Sequence, residues 1–414
     1  MPFIVEHECP QCGAPVELEE TNRLFRCPYC GVSNYLFAGD LFRLVLPHRA
    51  PDREIIYAPY LRFRGTAFLC KKAAIDQRVV DITRLGLPLD GIPLDGIPLS
   101  LGFRPQAMKM RFVTHDTAGS FLAATMSSDD ILDSAGSQTA ALMARNFFHR
   151  AYIGEAVSLI YLPLYREGDG LCDAITNKPL RSLPADHDVL APLMDGNPRW
   201  DLTFLATLCP HCGWDLEGEE DSVVLTCSNC DTAWQARDGR FVEVGIEVVP
   251  GGSENTVYLP FWKITAGTKG GLDIGSYADF MRVTNQPKVV QEEWEDRPMG
   301  YWIPAFKIRP RVYLHLAKQM TVSQEQFDRA DGISRLQLYP VTLPRSEAVQ
   351  SLKITLADSI MGKGKLFPRL PEVDFAVTGS SLVYLPFTDA GRELIQEQMG
   401  ISIHRQTLAY GRQL

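Results

Sequence analysis

Apolar and polar positions alternate with a period of two in four segments, the pattern of strands packed on a core. Tyr57-Ala-Pro59-Tyr60-Leu-Arg-Phe63 and Ser158-Leu-Ile-Tyr161-Leu-Pro163-Leu164 lie in the N-terminal half. Tyr258-Leu-Pro260-Phe261-Trp262-Lys-Ile264 and Ser381-Leu-Val-Tyr384-Leu-Pro386-Phe387 lie in the C-terminal half. Each holds a Tyr-x-Pro triplet. Proline removes a ladder donor, so an edge, a bulge or a strand start is expected there. The Tyr can bury its ring while its hydroxyl keeps a polar partner. Such segments read first as a repeated core device, and second as a pocket or a docking edge for a peptide.

Helical spacing of apolar residues predicts helices over Ser137 to Tyr152 and Ser346 to Met361, each ahead of its half's last Tyr-Leu-Pro strand. A third is expected over Thr388 to Met399, stopped by Gly400. Pro88 to Ser100 contains Leu-Asp-Gly-Ile-Pro twice and predicts a loop or turn-rich hairpin peculiar to the first half. A further landmark, Gly102-Phe103-Arg104-Pro105 through Lys109, matches Tyr301-Trp302-Ile-Pro304 through Lys307. Landmarks in the same order in both halves point to a tandem duplication.

The cysteines carry the same message. Cys9, Cys12, Cys27 and Cys30 form CPQC…CPYC, and Cys209, Cys212, Cys227 and Cys230 form CPHC…CSNC, at the same internal spacing. A Cys-x2-Cys turn sets two sulfurs on one side of a tetrahedron, and two such turns close a structural zinc site with no open position. Gly13, Gly31 and Gly213 follow three of the turns and supply the positive φ that aims amides at sulfur. Val16-Glu-Leu18, Leu24-Phe25 and Val223-Val224-Leu225 read as the short strands of zinc ribbons. Disulfides would need an oxidising compartment, and a redox pair needs no matched partner pair. His211 lies inside a knuckle whose four ligands are already cysteines, so it is expected to face solvent. Cys70 and Cys172 have no counterparts and read as buried apolar thiols.

Composition then narrows the class. The 414 residues are 45% hydrophobic and 22% charged, as in globular proteins, and no apolar run reaches the ~20 residues of a membrane span. The first residues lack a basic n-region and a long apolar stretch, so a cytoplasmic protein is expected. Net charge is −9 with neutral thiols, and two four-thiolate zinc sites would bring it to about −13. Between positions 200 and 236 stand Asp201, Asp215, Glu217, Glu219, Glu220, Asp221 and Asp231, with no Lys or Arg. A surface gripping phosphates needs the opposite sign, which counts against nucleic acid.

No catalytic residues are assigned. HExxH, GxSxG and EF-hand patterns are absent, and the glycine-rich stretches Ala266 to Ser276 and Met361 to Lys365 lack phosphate-loop spacing. His115-Asp116 and Asp186-His187-Asp188 read as solvated loops.

The order of a CPxCG…CPYCG ribbon followed by Tyr258-Leu-Pro260-Phe261-Trp262 resembles a loose group of bacterial proteins with TFIIB-type (transcription-factor-IIB-type) zinc ribbons and a YxPFW segment. The resemblance covers about a quarter of the chain. It implies accessory proteins of membrane-stress clusters that act by protein contact. Several relatives have a transmembrane segment or a single ribbon, so membrane association does not carry over except through a partner.

The expected fold class is therefore α+β and β-dominated: a tandem duplication of a four-cysteine zinc ribbon followed by an antiparallel β-rich domain with a packed helix. Ribbons are expected at 1–38 and 201–240, β-rich domains at 39–190 and 241–414, and a linker at 191–200. The expected function is a non-enzymatic zinc-binding adaptor or scaffold. It would bind a basic protein partner through acidic ribbon faces and Tyr-x-Pro strand edges, with two structural Zn2+ and no other cofactor. A nucleic-acid-binding ribbon protein, or an enzyme with a site between the halves, are the alternatives.

Overall fold

The structure is a computed structural model and describes residues 3–72, 74–87, 96–125, 147–182, 190–194, 202–251, 255–330, 332–333 and 336–412. Strands dominate it. The first half contains β1 (Ile4–Glu8), β2 (Pro15–Glu19), β3 (Leu24–Arg26), β4 (Ser33–Ala38), β5 (Phe42–Val45) and β6 (Ile55–Lys71). It continues with β7 (Ala74–Leu85), β8 (Met110–Phe112), β9 (Ser120–Phe121), β10 (His149–Glu167), β11 (Gly170–Asp173) and β12 (Lys178–Ser182). The second half contains β13 (Leu202–Ala206), β14 (Leu225–Cys227), β15 (Thr232–Arg237), β16 (Arg240–Val244), β17 (Ile246–Val248) and β18 (Thr256–Lys269). After these come β19 (Gly300–Pro304), β20 (Gln337–Leu338), β21 (Asp374–Asp389), β22 (Glu393–Gln396) and β23 (Ile401–His404).

Each half is built on one long antiparallel pair, β6 with β10 and β18 with β21. The register is the same in both. Tyr57 faces Pro163 and Pro59 faces Tyr161, just as Tyr258 faces Pro386 and Pro260 faces Tyr384. A bulge leaves Glu155 unpaired in β10 and Thr378 unpaired in β21, each six residues before its strand's Tyr. A short strand runs parallel on the far side, placing Val45 beside Tyr161 and Val248 beside Tyr384. Two hairpin strands then follow, β11 and β12 in one half and β22 and β23 in the other.

The Tyr-x-Pro triplets do not form edges. Tyr57, Tyr161, Tyr258 and Tyr384 are all buried, and β6 and β18 are flanked on both sides. The prolines fit because the carbonyls of Pro59 and Pro260 point away from the long partner strand. They accept instead from Gly86 N at 2.8 Å and Ala305 N at 3.0 Å, just past the ends of β7 and β19. The missing N–H thus falls where the neighbouring strand stops, and the core-device reading holds. The docking-edge expectation is corrected.

The halves share a core. Phe68, Cys70, Ala151 and Ile153, at the far ends of β6 and β10, belong to the same apolar cluster as Trp262, Leu259 and Phe306. Helices Arg345–Gln350 and Leu352–Ser359 match the expected Ser346–Met361 helix, divided at Ser351. Other expectations fail. Thr388 to Met399 is no helix: Asp389 ends β21, Gly391 turns at φ +84°, and Leu394 and Gln396 are buried on one face of β22. His149 to Tyr152 opens β10, and residues 137–146 lie outside the described set, as do 88–95. Pro105 sits in the first turn of the short helix Arg104–Ala107 whereas Pro304 ends a strand, so that landmark pair is not equivalent. Strand β14 begins only at Leu225, with Val224 bridging to Val341. Helices Tyr277–Thr284 and Pro310–Ser323 are additional to the expected ones. Their signals are a Ser276–Asp279 capping box and Pro310 in the first turn.

Candidate metal centres

Strands bracket three of the four knuckles, and an isolated Leu208–Asp215 bridge closes the Cys209–Cys212 turn. In the first centre β1 and β2 close the Cys9–Cys12 turn with Glu8 opposite Pro15, and β3 and β4 close the Cys27–Cys30 turn with Arg26 opposite Ser33. Gly13 N donates to Cys9 O at 2.8 Å and Gly31 N to Cys27 O at 2.9 Å, and in the second centre Gly213 N donates to Cys209 O at 2.8 Å. The three glycines have φ of +71°, +74° and +75°, and a Cβ on Gly13 or Gly213 would meet nothing within 4 Å. Backbone conformation, not space, selects glycine there. At the fourth knuckle Asp231 takes this role at φ +55° and also accepts from Ile333 N at 2.8 Å.

The eight cysteines converge as two sets of four. Sulfur separations are 3.8 Å for Cys9–Cys30 and Cys12–Cys27, 3.6 Å for Cys209–Cys230 and 3.5 Å for Cys212–Cys227. Thiolates about 2.3 Å from a central ion stand about 3.8 Å apart in a tetrahedron. A disulfide would need about 2.05 Å. Each set could therefore hold one metal ion and would leave it no open position. The electrostatics also call for a cation. The Cys30 and Tyr29 amides hold the Cys27 thiol down to about 7. The Ala14 amide favours the Cys12 thiolate, yet desolvation and three sulfur neighbours push that thiol up to about 12. Four thiolates this close are tolerated together only around a dication.

The two centres are not separate modules. Strand β4 of the first pairs antiparallel with β13, which leads into the second, so Tyr35 faces Leu205. Glu220 O accepts from Arg23 N at 2.7 Å and Leu24 N at 3.0 Å, and Tyr35 Oη donates to Ser222 O at 3.2 Å. His7 stacks on Phe204 at 4.8 Å. The first centre is fastened to the long strands by Glu20, whose carboxylate accepts from Arg62 Nη2 at 3.0 Å and Nε at 3.1 Å. Arg62 is fully buried, lies 4.1 Å from the Phe3 ring centroid, and also pairs with Asp81.

The acidic stretch is mostly on the surface: Asp215, Glu217, Glu219, Glu220 and Asp231 are exposed, and Asp201 lies outside the described residues. Asp221 is tied to Arg412 at 2.7 Å. Sequence reasoning missed that Leu208 and Trp214, beside Cys209 and Cys212, are 52% and 57% exposed, with Leu208 bridged to Asp215. Tyr29 in the first centre is 68% exposed. An aromatic inside or just after a knuckle was the available signal.

Other candidates disperse. His115 and Asp116 pair at 3.3 Å fully in solvent, and His211 is exposed. Residues 186–188 lie outside the described set. Lys363 of the Met361–Lys365 stretch pairs with Asp358 at 2.8 Å. Cys70 and Cys172 are buried, and burial pushes the Cys70 thiol up to about 12. A cleft of about 940 Å³ opens between the halves and both centres, and among the described residues His149 is its one histidine. No helix is long and apolar enough to cross a membrane among the described residues. Comparison with family models, curated proteins and solved structures finds no match.

Proposed function

We propose that this chain is a non-enzymatic adaptor, stabilised by two structural zinc ions, that presents the face of its second centre to a basic protein segment. The observation that carries it is that Leu208 and Trp214 are exposed beside Asp215, in a stretch of sequence that also carries exposed Glu217, Glu219 and Glu220 and no Lys or Arg, although Glu219 lies 3.8 Å from Arg412. Apolar anchors ringed by one sign of charge give both contact area and orientation to a partner of opposite sign. Zinc suits an all-thiolate tetrahedron, and its role here is to hold the knuckles rigid. The shared register of β6–β10 and β18–β21 supports a duplicated origin for the two halves. The resemblance to TFIIB-type ribbon proteins that act by protein contact points the same way. The Tyr-x-Pro strands contribute scaffold, not contact surface.

Metal analysis of the full chain should give two zinc ions per molecule. Affinity recovery of partners should then be compared for the native chain, Trp214→Ala and Asp215→Lys, all zinc-loaded. Loss of the same basic partner in both variants is expected. Equal recovery from both, or salt-sensitive retention on DNA that neither variant changes, sinks the reading.

A further inference from the structure

Charge in the cleft between the halves is distributed unlike the rest of the molecule. Of its four acids, Asp40 is held at both carboxylate oxygens by Arg43, at 2.6 and 2.7 Å, and Asp221 by Arg412 at 2.7 Å. Neither arginine lines the cleft. The lining cations are Lys307, which lies 4.0 Å from that same Asp221, and Arg23, Arg150 and Lys353, against Glu347 and the exposed Asp374. This cationic excess sits in a chain of net charge −9.

Arg23 is the telling residue. Its Nη1 donates to the carbonyls of Glu20 and Asn22, both at 3.2 Å, and its guanidinium lies 4.2 Å from the Phe42 ring centroid. No carboxylate lies within ion-pair distance among the described residues, and Nε and Nη2 donate to nothing there. Burial pulls its affinity for the proton down, against the opposing influence of Tyr35 and Glu20. A half-buried guanidinium oriented by backbone and ring, with Nε and Nη2 unused, is suited to receive an oxyanion. Lys353, which also lines the cleft, likewise has no ion-pair partner among the described residues. Part of the wall is apolar: Phe63 and Tyr152 pack edge to face at 5.7 Å, near Val157 and Phe375, with the Arg150 guanidinium 5.4 Å from the Tyr152 ring centroid.

We infer that this cleft binds a small organic phosphate with a flat apolar body, of the nucleotide class, its phosphate held by Arg23 and Lys353 and its body against the Phe63–Tyr152 wall. The volume, about 940 Å³, lies within the range of small-molecule sites. Because the lining comes from both halves and both metal centres, an occupied cleft would brace them together.

Isothermal titration of the zinc-loaded full chain with nucleoside mono- and diphosphates, the parent nucleosides and inorganic phosphate tests this. At least one nucleotide should bind more tightly than phosphate or its nucleoside. Lys353→Gln and Arg23→Gln should each weaken it about tenfold or more. Half-buried Lys353 serves as the safer variant, since Arg23 also supports the first centre. Absence of nucleotide binding up to about 1 mM, where the free energy falls to about −4 kcal/mol, overturns the inference. So does unchanged affinity in folded Lys353→Gln, or equal binding of phosphate and nucleotide, since the apolar wall would then contribute nothing.

Discussion

Two single residues show how buried charge is managed here. Arg62 is fully enclosed, and removing one member of its pair with Glu20 leaves the other with only a secondary partner, Asp81 for Arg62 or Arg64 at 3.8 Å for Glu20. Arg62→Met should lower stability by about 3–5 kcal/mol, while the double variant with Glu20→Leu should recover much of the loss. Urea midpoints of the two singles and the double decide it; additive losses would mean the groups act independently. His149 follows the opposite logic. Burial, aided by Lys353, lowers it from 6.5 to about 4, and Nε2 has no partner; Arg150 and Glu347 line the same cleft. Between those values the unfolded chain takes up a proton that the folded chain refuses. Its contribution is therefore complete above pH 6.5 and is lost as pH falls towards 4, at most about 3 kcal/mol. Burial lowers His7 in the same direction, so the measurement is a difference. Denaturation at pH 7.5 and 5 should show a smaller loss for His149→Phe than for the native chain.

At the scale of elements, the fourth knuckle tests how backbone conformation and contact combine. Asp231 occupies the left-handed region and anchors the second centre to Ile333. Asp231→Gly should cost about 1 kcal/mol for the lost hydrogen bond, and Asp231→Ala about 1–2 kcal/mol more for strain. Equal losses in thermal unfolding would remove the conformational argument. The knuckles were legible because the geometry of a four-thiolate metal site writes itself into cysteine spacing and glycine placement. The long strand pairs were legible from Tyr-x-Pro repetition, but their central position was not, because what decides it is where β7 and β19 stop. Thr388 to Met399 misled because Leu394 and Ile395 fit either period. Only the Asp389–Gly391 turn, with Gly391 N donating to Asp389 Oδ1 at 2.8 Å, settles it as a hairpin. Helix Pro310–Ser323 carried its start signal in plain view, Pro310 at the first turn with Tyr313, Leu314, Ala317 and Met320 on the buried face. The candidate surface was half legible: the acids were visible, the exposure of Leu208 and Trp214 was not.

Over the whole molecule, the two metal centres and the two strand platforms are wired as one unit. Strand β13 completes a sheet begun by β4, Glu220 caps the start of β3, Asp231 reaches Ile333, and Arg412 near the C-terminus holds Asp221. The ends of β6 and β10 are embedded in the C-terminal core. Structural zinc contributes on the order of 10 kcal/mol to the folding of the segment that binds it. Losing the second ion should therefore release β13, unpair one side of β4, and expose Tyr35 and Leu36, both buried in the native chain. A Cys209→Ser, Cys212→Ser variant should bind one zinc ion and unfold at a lower temperature than the native chain. Its amide at Tyr35, which faces β13, should lose protection from hydrogen exchange although the first centre is chemically intact, while that of Leu36, which donates to Arg23 O at 2.6 Å, keeps its partner. Independent modules behave otherwise: β4 would keep its protection, and unfolding would split into a shifted step and an unshifted one. The continuity of β4 with β13 requires the coupled outcome, because a strand that loses its partner leaves its own backbone groups to water.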